Sequence, residues 1–140
     1  DKSLVLECGF IEEQGYDAMR AWIAEGDLPE AVFAVNDPVG IGAMHALTEA
    51  GYRVGHDIAM VGAGNIHYGD MLSVPLTTVA WPTAEIGQQA ARLLIEMIEG
   101  DASSRAPQNV VVTPYLIARC SSVADAKGLK PTTARARTSK

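Results

Sequence analysis

The sequence predicts an α/β domain in which a parallel sheet is flanked by helices on both faces. Short apolar runs alternate with longer segments whose apolar residues recur every three or four positions, the signatures of strands and amphipathic helices. One junction, Ala31-Val-Phe-Ala-Val-Asn-Asp-Pro-Val39, passes straight from a strand-like run into a helix-opening pair. At 140 residues and 48% hydrophobic, the chain suits one domain or part of a larger one, with enough apolar content for a core.

Each element follows from its local pattern. Ser3–Cys8 reads as a short strand, followed by a loop through Gly9-Phe10. Tyr16, Met19, Trp22 and Ile23 mark the inner face of a helix that stops near Gly26. Ala31–Val35 reads as a buried strand, and Asn36 follows at its carboxyl end, where open α/β sheets hold their ligands. Asp37 is suited to cap the next helix and Pro38 to occupy its first turn, where a missing N–H costs nothing. That helix carries Ile41, Met44 and Leu47 and ends at Gly51. Ile58–Val61 is a third strand, ended by Gly62-Ala63-Gly64.

The second half changes character. After an irregular stretch, Asn65–Pro75, comes the extended Leu76–Trp81, then Pro82-Thr83 and the longest helix. Ile86, Ala90, Leu93, Leu94, Met97 and Ile98 form one apolar stripe on it, and Gly100 supplies the stop. A loop rich in Ser, Ala and Pro leads to two β stretches, Asn109–Thr113 and Tyr115–Cys120, broken by Pro114 at a bend or edge. No internal repeat is visible.

Composition excludes several classes. No apolar run approaches the roughly 20 residues of a membrane span. Asp1-Lys2-Ser3 lacks an initiator Met and opens directly into Leu4-Val5-Leu6, so the chain reads as an internal piece of a longer one. The net charge of −6 is uneven: residues 124–140 carry +4 and leave −10 on residues 1–123. An acidic body is a poor surface for DNA phosphates, and the basic tail reads as a disordered, solvated terminus. Cys8 and Cys120 lack metal-ligand spacing and read as reduced thiols packed as small hydrophobes in a cytoplasmic protein, with a bridge between them the alternative. His45, His56 and His67 are scattered, without HExxH, nucleophile elbow or P-loop, so no catalytic residue, metal site or cofactor is expected.

Four blocks carry a family resemblance: Ala31–Met44, Gly51–Gly62, Pro75-Leu-Thr-Thr-Val79 and the closing Pro114–Ser122. In that order they resemble the effector-binding region of lactose/galactose-repressor (LacI/GalR) transcription regulators, over roughly residues 4–122. The resemblance implies a periplasmic-binding-protein-like fold of two α/β lobes around a ligand cleft. By it, residues 1–80 form the C-terminal lobe, 81–101 hold a helix of the N-terminal lobe, 102–123 return as β segments, and 124–140 are the basic tail. A striped helix without its partner lobe would expose hydrocarbon worth about 25 cal/mol per Å², so it is expected to pack against few residues of its own chain or to find a partner in another copy.

The resemblance also implies a site. Asn36 matches an Asn that contacts the effector, its amide able to donate and accept, with capping of the helix the alternative and Asp37 better placed for that task. Phe10 aligns with an aromatic position that stacks on a sugar, with core packing the alternative. Members commonly carry Val-Gly-Phe/Tyr-Asp-Asp after the third strand, whereas this chain has Val61-Gly62-Ala63-Gly64-Asn65. Gly64 therefore lacks the sugar-binding carboxylate; Asn65 offers a neutral replacement, or the turn's backbone N–H groups face an anion. Trp81 stands where relatives often have a polar residue at the crossover. These departures point towards an aromatic, acidic or modified-sugar effector rather than an ordinary hexose.

Regulators of this kind are usually homodimers, which assigns Ile41, Tyr68, Met71 and Leu72 to an interface, with ordinary core packing the alternative. Operator DNA would be bound through a helix-turn-helix outside these residues, and the effector would act allosterically through the angle between lobes. The main rival is a periplasmic sugar-binding protein of a transport system; a Rossmann-like enzyme is disfavoured because no GxGxxG opening is present.

Overall fold

The computed structural model describes residues 4–99 and 109–123. The described residues divide into two compact units, residues 4–80 with 115–123 and residues 81–99 with 109–114.

In the first unit the described elements are α1 (Glu12–Glu25), β1 (Ala31–Phe33), α2 (Asp37–Glu49), β2 (Ala59–Ala63), β3 (Thr77–Ala80) and a last strand, Tyr115–Ile117. The strands lie side by side in chain order. β1, β2 and β3 are parallel, with Phe33 opposite Val61 and Val61 opposite Thr77. The last strand pairs antiparallel to β3, with Leu116 opposite Val79, so the sheet is mixed rather than wholly parallel. Pro114, which has no N–H to give, immediately precedes it, and Asn109–Thr113 forms no ladder, contrary to the sequence reading.

Two further expectations are corrected at the other edge. Leu4–Cys8 is exposed and makes no ladder, because a lone extended segment has no neighbour among the described residues to take its backbone hydrogen bonds. β1 is an edge strand, not a buried one: Phe33 and Val35 are exposed, while Ala34 is buried. Between residues 4–10 and β1 runs a groove of about 650 Å³ lined mainly by apolar side chains, among them Leu6, Trp22 and Phe33. Cys8 is exposed on it instead of packed, and both cysteines are free.

The core lies between the sheet and the α1/α2 pair. Met19 and Trp22 of α1, Ala43, Met44 and Leu47 of α2, and Met60 and Leu76 from the sheet side form one buried cluster. Two glycines let the helices meet backbone to backbone. A Cβ on Gly42 would lie 1.9 Å from the carbonyl oxygen of Glu12, and one on Gly15 would lie 2.2 Å from that of Val39. At the start of α1, the Gln14 side-chain oxygen accepts from the backbone N–H of Phe10 at 2.9 Å. At its end, Gly26 adopts a left-handed conformation and returns its N–H to Trp22 and Ile23.

The second unit holds α3 (Thr83–Glu99). None of its residues is buried, and Leu94, Met97 and Ile98 of the apolar stripe are exposed. An Arg92–Glu96 pair one turn apart, at 2.9 Å, lies on its surface. Gly100 and the tail lie outside the described residues.

Candidate functional site

At the carboxyl ends of β1 and β2 the first unit presents two loops, Val35–Pro38 and Gly64–Ile66. The first is organised by Asn36. Its side-chain oxygen accepts from the N–H of Val39 at 2.9 Å, and its side-chain nitrogen donates to the carbonyl of Phe10 at 2.9 Å. Asn36 is thus the N-cap of α2, and Asp37 is not. An Asn in extended conformation reaches back over the first turn, whereas Asp37, already helical, points its carboxylate inward. Each amide atom of Asn36 keeps one hydrogen-bonding position beyond these two bonds.

Asp37 has a different task. It is 1% exposed and its carboxylate is shared between two donors: the Thr78 hydroxyl and the backbone N–H of Ile66, both at 2.7 Å. A buried charge is tolerable only with such charge-assisted bonds. The space it needs is left by Gly62, where a Cβ would sit 2.3 Å from the carboxylate. One buried side chain therefore ties the loop after β1 to the loop after β2 and both to β3.

The turn after β2 is fastened at every backbone N–H. Gly64 donates to the carbonyl of Val79 at 2.9 Å, Asn65 to the Thr78 hydroxyl at 3.2 Å, and Ile66 to Asp37. The reading in which these groups face an anion is accordingly overturned: the protein already uses all three. Gly64 has φ +124° and Asn65 φ +52°, so two successive residues lie in the left-handed half of backbone space. Asn65 itself is exposed, and its side-chain oxygen accepts from Arg119 at 2.9 Å. Arg119 also donates to the carbonyl of Leu76 at 2.7 Å, and its backbone N–H to the hydroxyl of Thr77 at 2.8 Å.

The structure thus brings Asn36, Gly64 and Asn65 onto strand-end loops of one unit, and Phe10, just before α1, joins them through its carbonyl bond from Asn36. Phe10 is 69% exposed, so the core alternative for it fails. Trp81 begins the second unit, 41% exposed, with its carbonyl accepting from Thr83 at 2.8 Å. Of the residues assigned to an interface, Ile41 and Leu72 pack partly against the core and Met71 is 78% exposed. The Tyr68 hydroxyl donates to Glu12 at 2.7 Å, and that bond holds its pKa above the usual tyrosine value. Sequence reasoning missed Asp37, Thr78 and Arg119 as a network. Their signal was the absence of a side chain at Gly62, which leaves space for the carboxylate of Asp37.

Comparison with known proteins now decides the family. Residues 5–122 match the family described as periplasmic binding protein-like domain. The chain belongs to that family. Its relatives there are of the lactose/galactose-repressor type. It is 38% identical over 115 residues to the transcriptional repressor PurR of Mannheimia succiniciproducens, covering 82% of this chain and 34% of that one. Among solved structures it is similar to a transcriptional regulator CelR in complex with cellobiose, with TM-score 0.78 and 32% identity over 86% of this chain and 36% of that one. A lac repressor dimer bound to operator and an anti-inducer gives TM-score 0.76 and 27% identity, over 84% of this chain and 34% of that one. These relatives are regulators rather than enzymes, and the chain spans about a third of their length. Among the described residues no helix is long and apolar enough to cross a membrane.

Proposed function

We propose that this chain is the effector-sensing region of a bacterial DNA-binding transcriptional regulator. It binds a sugar or related small polar metabolite between two lobes and relays that event to a helix-turn-helix outside these residues. The observation that carries the proposal is the joining of two parallel-strand ends by buried Asp37, which presents Asn36 and Asn65 on loops of fixed geometry. Ligands of open α/β sheets lie beyond such strand ends. Residues 1–80 would contribute the C-terminal lobe, residues 81–101 a helix of the N-terminal lobe, and residues 102–123 the returning segment. Phe10 and Trp81 would offer apolar faces to the effector, and Gly64 would leave room for it. The protein would act in the cytoplasm as a homodimer. Exposed Met71, with Tyr68, Ile41 and Leu72 around the same lobe, supplies surface for the contact. That the relatives are repressors weighs against a transport-system binding protein.

The test uses the full-length protein in a thermal-shift screen of neutral sugars, sugar acids and purine bases, because a ligand bound only by the folded state raises its melting temperature by mass action. At least one compound should stabilise it. Asn36→Ser keeps a capping hydroxyl but withdraws the amide and its bond to the Phe10 carbonyl, so it should weaken that compound by about tenfold while lowering the unliganded melting temperature by only a few degrees. A screen without any stabilising compound would sink the sensor reading. Sedimentation of the same samples reads the dimer, and a monomer throughout would remove the interface assignment.

A further inference from the structure

We infer that Asn65 acts as a hydrogen-bond donor that selects an effector carrying a carboxylate; this rests on the sensor reading above. The Arg119 guanidinium can only donate, so the atom of Asn65 facing it at 2.9 Å must be the amide oxygen. The Asn65 amide nitrogen is left with both of its N–H groups and makes no hydrogen bond among the described residues, while the residue is exposed. An Asn is ordinarily indifferent between donors and acceptors; here a cation has fixed which end points outward.

The surroundings reinforce that polarity. Arg119 makes no ion pair among the described residues, so its charge polarises the amide from behind. The nearby Asp37 carboxylate is buried and already accepts from Thr78 and Ile66, so it offers no competing acceptor surface to a ligand. The turn is also over-determined. All three of its N–H groups are satisfied, and Asn65 is held at φ +52°, a conformation that Asn tolerates better than most residues. A strained, fully fastened turn that still exposes one polar side chain is the kind of place where conformational cost is spent on recognition. Asn65 thereby differs in kind from Asn36, whose nitrogen and oxygen are each already half engaged.

The experiment compares D-glucuronate with D-glucose by isothermal titration calorimetry on the full-length protein. The two probes share a ring and differ in the carboxylate. D-glucuronate should bind at least about tenfold tighter, the size of one charge-assisted hydrogen bond. The variant Asn65→Asp keeps the oxygen that Arg119 needs and tolerates the same backbone angle, but turns the outward N–H groups into an oxygen. It should lower the glucuronate-to-glucose affinity ratio by about tenfold or more, with an unchanged circular dichroism spectrum. Equal or tighter binding of D-glucose, a ratio that Asn65→Asp does not move, or no binding of either sugar would each overturn the assignment. Should the earlier screen still find a neutral ligand, the sensor reading survives and only the carboxylate selection falls.

Discussion

α2 and α3 have the same sequence grammar and opposite fates. Each opens beside a proline, repeats apolar residues at three- and four-residue steps and contains a glycine within its turns. α2 buries eight residues; α3 buries none. The glycines make the difference concrete. Around Gly42 a Cβ would strike the backbone of α1, whereas around Gly87 nothing lies within 4 Å. Periodicity therefore says which face of a helix wants cover, and close approach says where cover exists.

The largest expected effect breaks the comparison at those two glycines. Gly42→Ala drives a methyl group into the Glu12 carbonyl and the Tyr16 backbone, which cannot retreat as a flexible side chain would. It should cost about 3 kcal/mol in urea denaturation, the upper range for overpacking. Gly87→Ala removes the entropic cost of a helical glycine and should gain about 0.5–1 kcal/mol in this chain. If α3 belongs to a second lobe in the longer protein, the gain at Gly87 should shrink or reverse there. The same gain in both settings would remove the argument for a partner on that face.

That contrast also explains what could be read in advance. The helices were legible because sustained amphipathicity and stop signals such as Gly26 act within a few residues of one another, whereas the start of α1 at Ile11 has no side-chain cap to announce it. β2 and β3 were legible as apolar runs between turn signals. Leu4–Cys8 and Asn109–Thr113 were misread as strands because an extended apolar run becomes a strand only where a neighbour takes its hydrogen bonds, and pairing is non-local. The direction of the last strand, Tyr115–Ile117, is non-local for the same reason. At the site, Asn36 was singled out from its place after a strand and Asn65 from the family resemblance, and both lie on loops that follow strands. Capping by Asn36 stood only as the alternative to capping by Asp37, since both residue types cap helices and only the location of Thr78 and Ile66 decides which side chain turns inward.

A second expected effect sharpens the comparison at the helix starts. α2 is anchored to the sheet by its first residue, and α3 has no comparable buried anchor among the described residues. Asp37→Ala strands the Thr78 hydroxyl and the Ile66 N–H in the interior, for about 2 kcal/mol of lost stability. Asp37→Asn can accept from one donor but presents an N–H to the other, so it should recover only part of that loss. Amide hydrogen exchange should report faster opening of Ile66 in both variants, with α3 unaffected; unchanged protection at Ile66 would mean that the clamp is not what holds the turn.

The smallest effect concerns the far end of α2. The Tyr16 hydroxyl of α1 donates to Glu49, the last residue of α2, and this bond, with a minor contribution from burial, raises the Tyr16 pKa above its usual value of 10.0. The favoured form is the neutral phenol. Whatever stability the bond contributes is therefore fully present below the unfolded tyrosine pKa and is lost as pH rises through the higher folded value. Because the pair is at the surface, the consequence is local and belongs in a spectroscopic measurement rather than a melting curve. Ultraviolet titration of tyrosinate should show Tyr16 ionising later than a free tyrosine, and Glu49→Gln should bring it back towards the ordinary range by removing both the charge and the strong acceptor. Titration at the ordinary value in the unmodified protein would mean that the α1–α2 contact frays at this end and is held by its glycine-mediated centre alone.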